Sequence, residues 1–330
     1  MSSRNGPVPR ARLTARVGTA QVTVTACGFS FDEAQNAARD LLHTMRGLER
    51  AVANGPPPAL PGDRVLSLAD FTPDTDDEDE DGRAACSGVL TRAIGAVSGL
   101  PYAVPAEIVL PPLSTDRALV GTAHGTPGAG LAGRAVADVL ATDIVVRWWR
   151  RPRPVLARLP ARPLLPDDTV AALAGQGLEV EAYTWTNLPF TTVLAVVHAG
   201  GGAAAGFGAA VGPDPRAALR GAFLKAQTAR SASGGAPGET GIAPWPTARV
   251  LAAWCSGPAH LELLHGHVRD GGAGLGEGAS DWVEQAYRRF GHEPLIASWT
   301  APDGGTVVRA LCPGAAIYAP VPAARPACPV

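Results

Sequence analysis

Gly121 to Arg150 reads GTAHGTPGAGLAGRAVADVLATDIVVRWWR. Five glycines, Gly121, Gly125, Gly128, Gly130 and Gly133, permit tight turns and let a ligand come close to the backbone. Ala135, Val136, Val139, Leu140, Ile144 and Val145 then recur at steps of three and four, the period of a helix packed on a core. The first amides of such a helix have no partner within it, so a Gly-rich entry can cradle an anion. Most such entries are only turns. The stretch ends in Arg147-Trp148-Trp149-Arg150, whose aromatics suit either a core or a stacked substrate.

Upstream, Leu13 to Cys27 alternates and predicts one or two strands. Ser30 and Glu33 form a Ser-x-x-Glu cap for a helix over Asp32–Ala53, which Gly55-Pro56-Pro57-Pro58 stops. Residues 1–12 read as a disordered start and 72–82 as an acidic solvated loop, since like charges in a row repel. A helix is predicted over Cys86–Val97 and a strand over Val104–Leu110. Downstream, a short helix over Asp168–Ala174 is followed by strands over Glu179–Tyr183 and Thr191–His198, the latter apolar enough to be central. Residues 200–212 are Gly/Ala-rich, and helices follow over Pro215–Ser231 and Trp282–Phe290. Strands over Leu295–Thr300 and Thr306–Cys312 are joined by the turn Asp303-Gly304-Gly305. Helices and strands mix without regular alternation, so the class is α+β, with one domain over 13–330 and a Pro-rich tail over 319–330.

Bulk numbers exclude more than they select. A net charge of −2 gives no electrostatic case for nucleic acid. No apolar run reaches the roughly 18 residues that a membrane span needs. Five cysteines without metal-type spacing point to a reduced, cytoplasmic setting. His260, His265 and His267 lie close together but lack a third clear ligand partner, and Cys86 has no nucleophile motif around it. His124, inside the Gly loop, suits contact with a phosphate or substrate, or simply fills a gap.

Taken together, Gly121-Thr122-Ala123-His124-Gly125, Asp143 and the Trp148-Trp149 pair resemble the central motif of the YcaO superfamily. Met45-Arg46-Gly47-Leu48-Glu49-Arg50, Val104-Pro105-Ala106, Leu224-Lys225-Ala226-Gln227 with Arg230, and Arg309 with Pro313-Gly314 resemble further family elements in the family's order. The resemblance implies an α+β fold whose helices line a nucleotide-type cleft. It also implies binding of ATP and Mg²⁺, and phosphorylation of peptide amide oxygens. It assigns Glu49, Arg50, Gly121, Thr122, Gly125, Asp138, Asp143, Gln227 and Arg230 to the cofactor, with Glu49 and Asp138 as metal ligands. The family's azoline-forming members end in a Pro-x-Pro-x-Pro tail. Here Pro326, Pro329 and Val330 stand in a Pro-rich end of broken spacing.

The departures carry the functional expectation. Three helices each place two polar groups three residues apart, hence on one face. In this chain those pairs are Arg46 and Glu49, Asp138 and Ala141, and Leu224 and Gln227. Three carboxylates are missing, and Arg46 is placed to pair with Glu49 at i,i+3. Mg²⁺, which needs oxygen ligands, then loses most of its donors. The leading expectation is a degenerate YcaO-like partner subunit that binds or scaffolds a precursor peptide beside a second YcaO protein or another peptide-maturation protein. The chain leaves no room for an added leader-peptide domain, so a separate protein would recruit the substrate. The alternatives are an active ATP-dependent cyclodehydratase acting on Cys, Ser or Thr, and an unrelated small-molecule binder.

Overall fold

The computed structural model describes residues 8–72, 88–111, 119–233, 258–269 and 281–318. A hairpin of β1 (Arg10–Val17) and β2 (Ala20–Cys27) leads into α1 (Phe31–Asn54). Ser30 caps it: Glu33 donates its amide to Ser30 Oγ at 3.1 Å, and the Glu33 side chain reaches back one residue beyond the cap, accepting the Phe29 amide at 2.8 Å. Then come β3 (Arg64–Val65), β4 (Leu90–Gly95), β5 (Pro101–Pro105), α2 (Ala106–Val109), β6 (Thr122–Gly125) and α3 (Ala129–Arg150). The rest comprises β7 (Leu156–Leu159), α4 (Asp167–Ala174), β8 (Leu178–Trp185), β9 (Thr191–Ala199), β10 (Ala203–Gly212) and α5 (Pro215–Ser233), then α6 (Ala259–His265), α7 (Trp282–Phe290), β11 (Leu295–Thr300) and β12 (Thr306–Leu311). Besides the β1–β2 hairpin there is a six-stranded sheet, β3-β5-β4-β11-β12-β6, and a four-stranded one, β10-β9-β8-β7. The class is α+β, as expected.

The organising helix is α3. Ala135, Val136, Val139, Leu140, Ala141 and Val145 have no exposed surface, and Leu131, Ile144, Val146, Trp148 and Trp149 are nearly as buried. Apolar residues all round a helix mean burial on all sides. α3 packs on β10 of one sheet and on β12 and β6 of the other, and so joins the two sheets. Its apolar groups form the largest core cluster, with Tyr183, Leu194 and Val196 from the four-stranded sheet, Phe190 just before β9, and Val308 and Ala310 from β12. A second cluster seats Leu219, Ala222, Phe223 and Ala226 of α5 on β9.

Several sequence expectations need correction. Cys86–Val97 is not a helix. Its described part contains β4, in which Thr91, Ala93 and Gly95 are buried alternately. The period is two, and the pairing with β5 and β11 fixes it. Val104–Leu110 is not one strand either: β5 ends at Pro105 and the chain turns into α2. Residues 203–212, within the stretch noted only as Gly/Ala-rich, form β10, and its glycines have a packing role. A Cβ on Gly208 would lie 2.2 Å from the Ala222 carbonyl oxygen, and one on Gly206 would lie 2.2 Å from that of Ala226. The strand therefore lies directly against the α5 backbone. At the N-terminus, β1 begins at Arg10, within the segment assigned to a disordered start, and Val8 and Ala11 are buried. Most of the acidic loop and the Pro-rich tail, with Pro326, Pro329 and Val330, lie outside the described residues. Among the described residues no helix is long and apolar enough to cross a membrane.

The Gly208 contact is with helix backbone, which cannot swing aside. Gly208→Ala is therefore expected to destabilise the fold by about 1–3 kcal/mol. A lowered urea midpoint with an unchanged slope would show it.

Candidate functional site

Between β6, α3 and α5 the structure assembles a small polar centre on Asp138. The turn into β6 requires glycine at 121, where φ is +72° and a Cβ would lie 2.6 Å from Val139 Cγ2. That turn aims the Gly121 amide at Asp138 Oδ2, 2.8 Å away. The other carboxylate oxygen, Oδ1, accepts from Lys225 Nζ, which also donates to the Ala209 carbonyl at 2.9 Å. Lys225 is the only lysine of the chain. Where every other strong base is arginine, the one compact point charge on a flexible stem stands against this carboxylate. Both oxygens of Asp138 thus have protein partners.

The other expected site residues are dispersed. Arg46 and Glu49 do not pair with each other. Arg46 Nε donates to the Arg16 carbonyl at 3.2 Å, and Glu49 lies against Gly18 in the β1–β2 turn, where a Cβ would meet its Oε1 at 2.8 Å. Arg50 is exposed. Thr122 donates its hydroxyl to the Leu119 carbonyl, and Gly125 lies beside Arg134, which donates to the His124 carbonyl at 2.9 Å. Ala141 is in the core and Leu224 packs on the α5 cluster. Gln227 is buried, and its Nε2 and the Nε of Arg230, one turn on, have no hydrogen-bond partner among the described residues.

Asp143 has a structural setting. It has no exposed surface and receives Arg147 Nε at 2.9 and 3.0 Å, Arg289 Nε at 2.9 Å and the Ala316 amide at 2.7 Å. It ties α3 to α7 and to the segment after β12. Trp148 and Trp149 are buried, and Trp148 donates to the Arg153 carbonyl at 3.0 Å while its ring meets Trp185 edge-on. Arg309, the late arginine of the motif order, is buried on β12 beside a hollow of about 150 Å³ that Glu107, Ile108 and Tyr318 also line. Burial pulls its guanidinium down to about 10.

The three downstream histidines part company. His267 Nδ1 faces the Leu263 carbonyl at 2.8 Å and His260 is buried against Phe207. His265 meets Glu181 at 2.8 Å, where His198 also lies at 3.6 Å and Tyr183 donates its hydroxyl. Burial would raise the Glu181 carboxyl, but His198, Tyr183 and His265 outweigh it and hold it far below the carboxylate range. Glu181 in turn pushes the His198 imidazole above its ordinary value, against the effect of burial. Sequence reasoning missed this centre, because its members come from β8, β9 and α6.

Residues 134–316, more than half of the chain, match the family described as YcaO cyclodehydratase, ATP- and Mg²⁺-binding. The fold is similar to that of YcaO from Methanopyrus kandleri bound with AMPPCP and Mg²⁺, at 17% identity and a TM-score of 0.64, covering 96% of this chain and 85% of that one. It is similar to a heterocyclase in complex with substrate and cofactor, at 14% identity and a TM-score of 0.69, covering 96% of this chain but 49% of that one, about half its length. It is also similar to the E. coli microcin synthetase McbBCD complex, at 10% identity and a TM-score of 0.63, covering 95% and 86%. No curated protein matches the sequence.

Two outcomes test this description. Asp143→Ala would leave Arg147 and Arg289 without their buried acceptor and is expected to cost about 3–5 kcal/mol, read from chemical denaturation. The raised His198 contributes stability that is full below the unfolded histidine value, about 6.5, and is lost as pH rises through its folded value. The depressed Glu181 contribution is full above the ordinary carboxylate range and falls away only in strong acid. The urea midpoint is therefore expected to fall as pH rises above the ordinary histidine value of about 6.5, and Glu181→Gln to remove that part of the slope.

Proposed function

The chain belongs to the YcaO cyclodehydratase family, and on that premise we propose that it is a catalytically degenerate member acting in ribosomal-peptide modification. In this reading residues 13–330 form one YcaO-like domain that binds or scaffolds a precursor peptide. It does so beside a second YcaO protein or another maturation protein that supplies the ATP-dependent step. The likeness to a microcin synthetase complex, solved also with pro-MccB17 bound, supports a role within an assembly on a peptide.

The observation that carries the proposal is the Lys225 ammonium on Asp138. The family is described as binding ATP and Mg²⁺, so the donor set can be tested against that group. Mg²⁺ needs near-octahedral oxygen ligands, mostly carboxylate and phosphate. Here the carboxylate of α3 holds a lysine and a backbone amide, Ala141 and Leu224 offer no donor, and the Glu49 side chain of α1 lies against the β1–β2 turn. The residues present do not fit a magnesium triphosphate. An ammonium supplies one positive charge to the carboxylate without the open coordination positions that a bound metal would offer a phosphate.

A second reading, an active cyclodehydratase forming azolines at Cys, Ser or Thr, draws support from one observation. Gln227 Nε2 and Arg230 Nε are buried donors one turn apart on α5 without partners among the described residues, as groups awaiting an anionic ligand would be. Calorimetry separates the two. The degenerate reading expects the wild-type chain to bind Mg·ATP more weakly than about 1 mM. Saturable binding in the micromolar range would overturn it and favour the second.

A further inference from the structure

A different cluster, away from Asp138, has the geometry of a metal centre. His43 of α1, His124 of β6 and Asp303 of the β11–β12 turn each bring one ligand atom within 4.8 Å of the others. Asp303 Oδ2 lies 3.4 Å from His43 Nδ1 and 3.1 Å from His124 Nε2. Bonds of 2.0–2.1 Å to a tetrahedral ion put neighbouring ligand atoms about 3.3 Å apart, so both distances are already those of a coordination edge. We infer that these three side chains bind one divalent first-row transition metal of the zinc class, with a fourth position open to solvent.

Four details support this. His43 Nδ1 makes no hydrogen bond among the described residues although Asp303 is near, as expected of two donors aimed at a shared third atom. His124 turns its other nitrogen, Nδ1, to Asp40 Oδ1 at 3.2 Å, the carboxylate–histidine arrangement that fixes the tautomer of a metal-bound imidazole. Asp303 Oδ1 accepts the Gly305 amide at 3.1 Å and also lies 3.3 Å from His124 Nε2, so the carboxylate is held with both oxygens at His124 and Oδ2 between the two histidines. Gly305 itself is needed there, since a Cβ would lie 2.6 Å from His124 Nε2. The two imidazoles stack nearly parallel, with centroids 4.9 Å apart and planes at 19°.

The donor types choose the ion. Two imidazoles and one carboxylate suit zinc, cobalt or nickel, whereas Mg²⁺ and Ca²⁺ prefer oxygen. His124 is buried, His43 has 24% of its side chain exposed and Asp303 33%, so the ion has a route in from solvent. The ion would clamp α1, β6 and the β11–β12 turn together, a structural role independent of any nucleotide.

The test uses the full chain without an affinity tag, stripped of metal and titrated with Co²⁺. One equivalent is expected, with the intense visible bands of a tetrahedral ion, and Zn²⁺ should displace it and raise the melting temperature. His124→Gln and Asp303→Asn should each weaken binding at least tenfold. Asp40→Asn should weaken it 10–100-fold through the orientation of His124. His267→Gln, outside the cluster, should leave it unchanged. Should His124→Gln fail to fold, His43→Gln at the partly exposed edge carries the same expectation. Absence of saturable Co²⁺ uptake, or uptake that survives both His43→Gln and Asp303→Asn, would overturn the inference and leave a plain histidine–aspartate hydrogen-bond network.

Discussion

Burial of α3 on all sides is the constraint on which the rest depends. A helix with apolar residues around its whole circumference cannot lie on a surface, so two sheets must close over it. That requirement places β10 against one side and β12 and β6 against the other. The acidic groups on α3 must then find protein partners. Asp143 meets this with two arginines and a backbone amide, and Asp138 with a glycine amide and a lysine. The first solution pins the end of α3 to α7. The second stands where the family resemblance puts a metal-binding carboxylate.

The two carboxylates differ in what surrounds them. Asp143 is sealed, so its partners are part of the core and no ligand reaches it. The Asp138 side chain is a quarter exposed and that of Lys225 nearly half exposed, so their pair lies at a surface that solvent and ligands can reach. Exposed ion pairs contribute little stability, typically 0–1 kcal/mol. The pair therefore matters less for folding than for what it keeps away from Asp138. Lys225 also donates to Ala209 on β10, so the ammonium is held by backbone as well as by charge.

Local signals made much of the fold legible. The Ser30–Glu33 cap, the helix over Trp282–Phe290 and the Asp303-Gly304-Gly305 turn are written within a few residues, and the structure has all three. Where the sequence misleads, the deciding partner is distant. β4 reads as a helix until β5 and β11 pair with it, and the Gly/Ala-rich stretch that becomes β10 carries no local strand signal until the α5 backbone packs on its glycines. The same holds for the sites. Arg46 was expected to meet Glu49 three residues on, but bonds a carbonyl 30 residues back. Asp138 was compared with Ala141 on its own helix, yet its partner Lys225 is 87 residues away. The His43–His124–Asp303 cluster joins three elements, and no spacing rule on one helix could have found it.

The account's central claim is that the ammonium of Lys225 takes the place of a metal ion on Asp138. Mn²⁺, a paramagnetic stand-in for Mg²⁺ that prefers oxygen ligands, tests it directly by electron paramagnetic resonance with ATP present. The wild-type chain should show no nucleotide-dependent bound Mn²⁺ beyond that held by ATP alone. A protein-bound Mn²⁺ signal that appears with ATP and disappears in Asp138→Asn would contradict the claim.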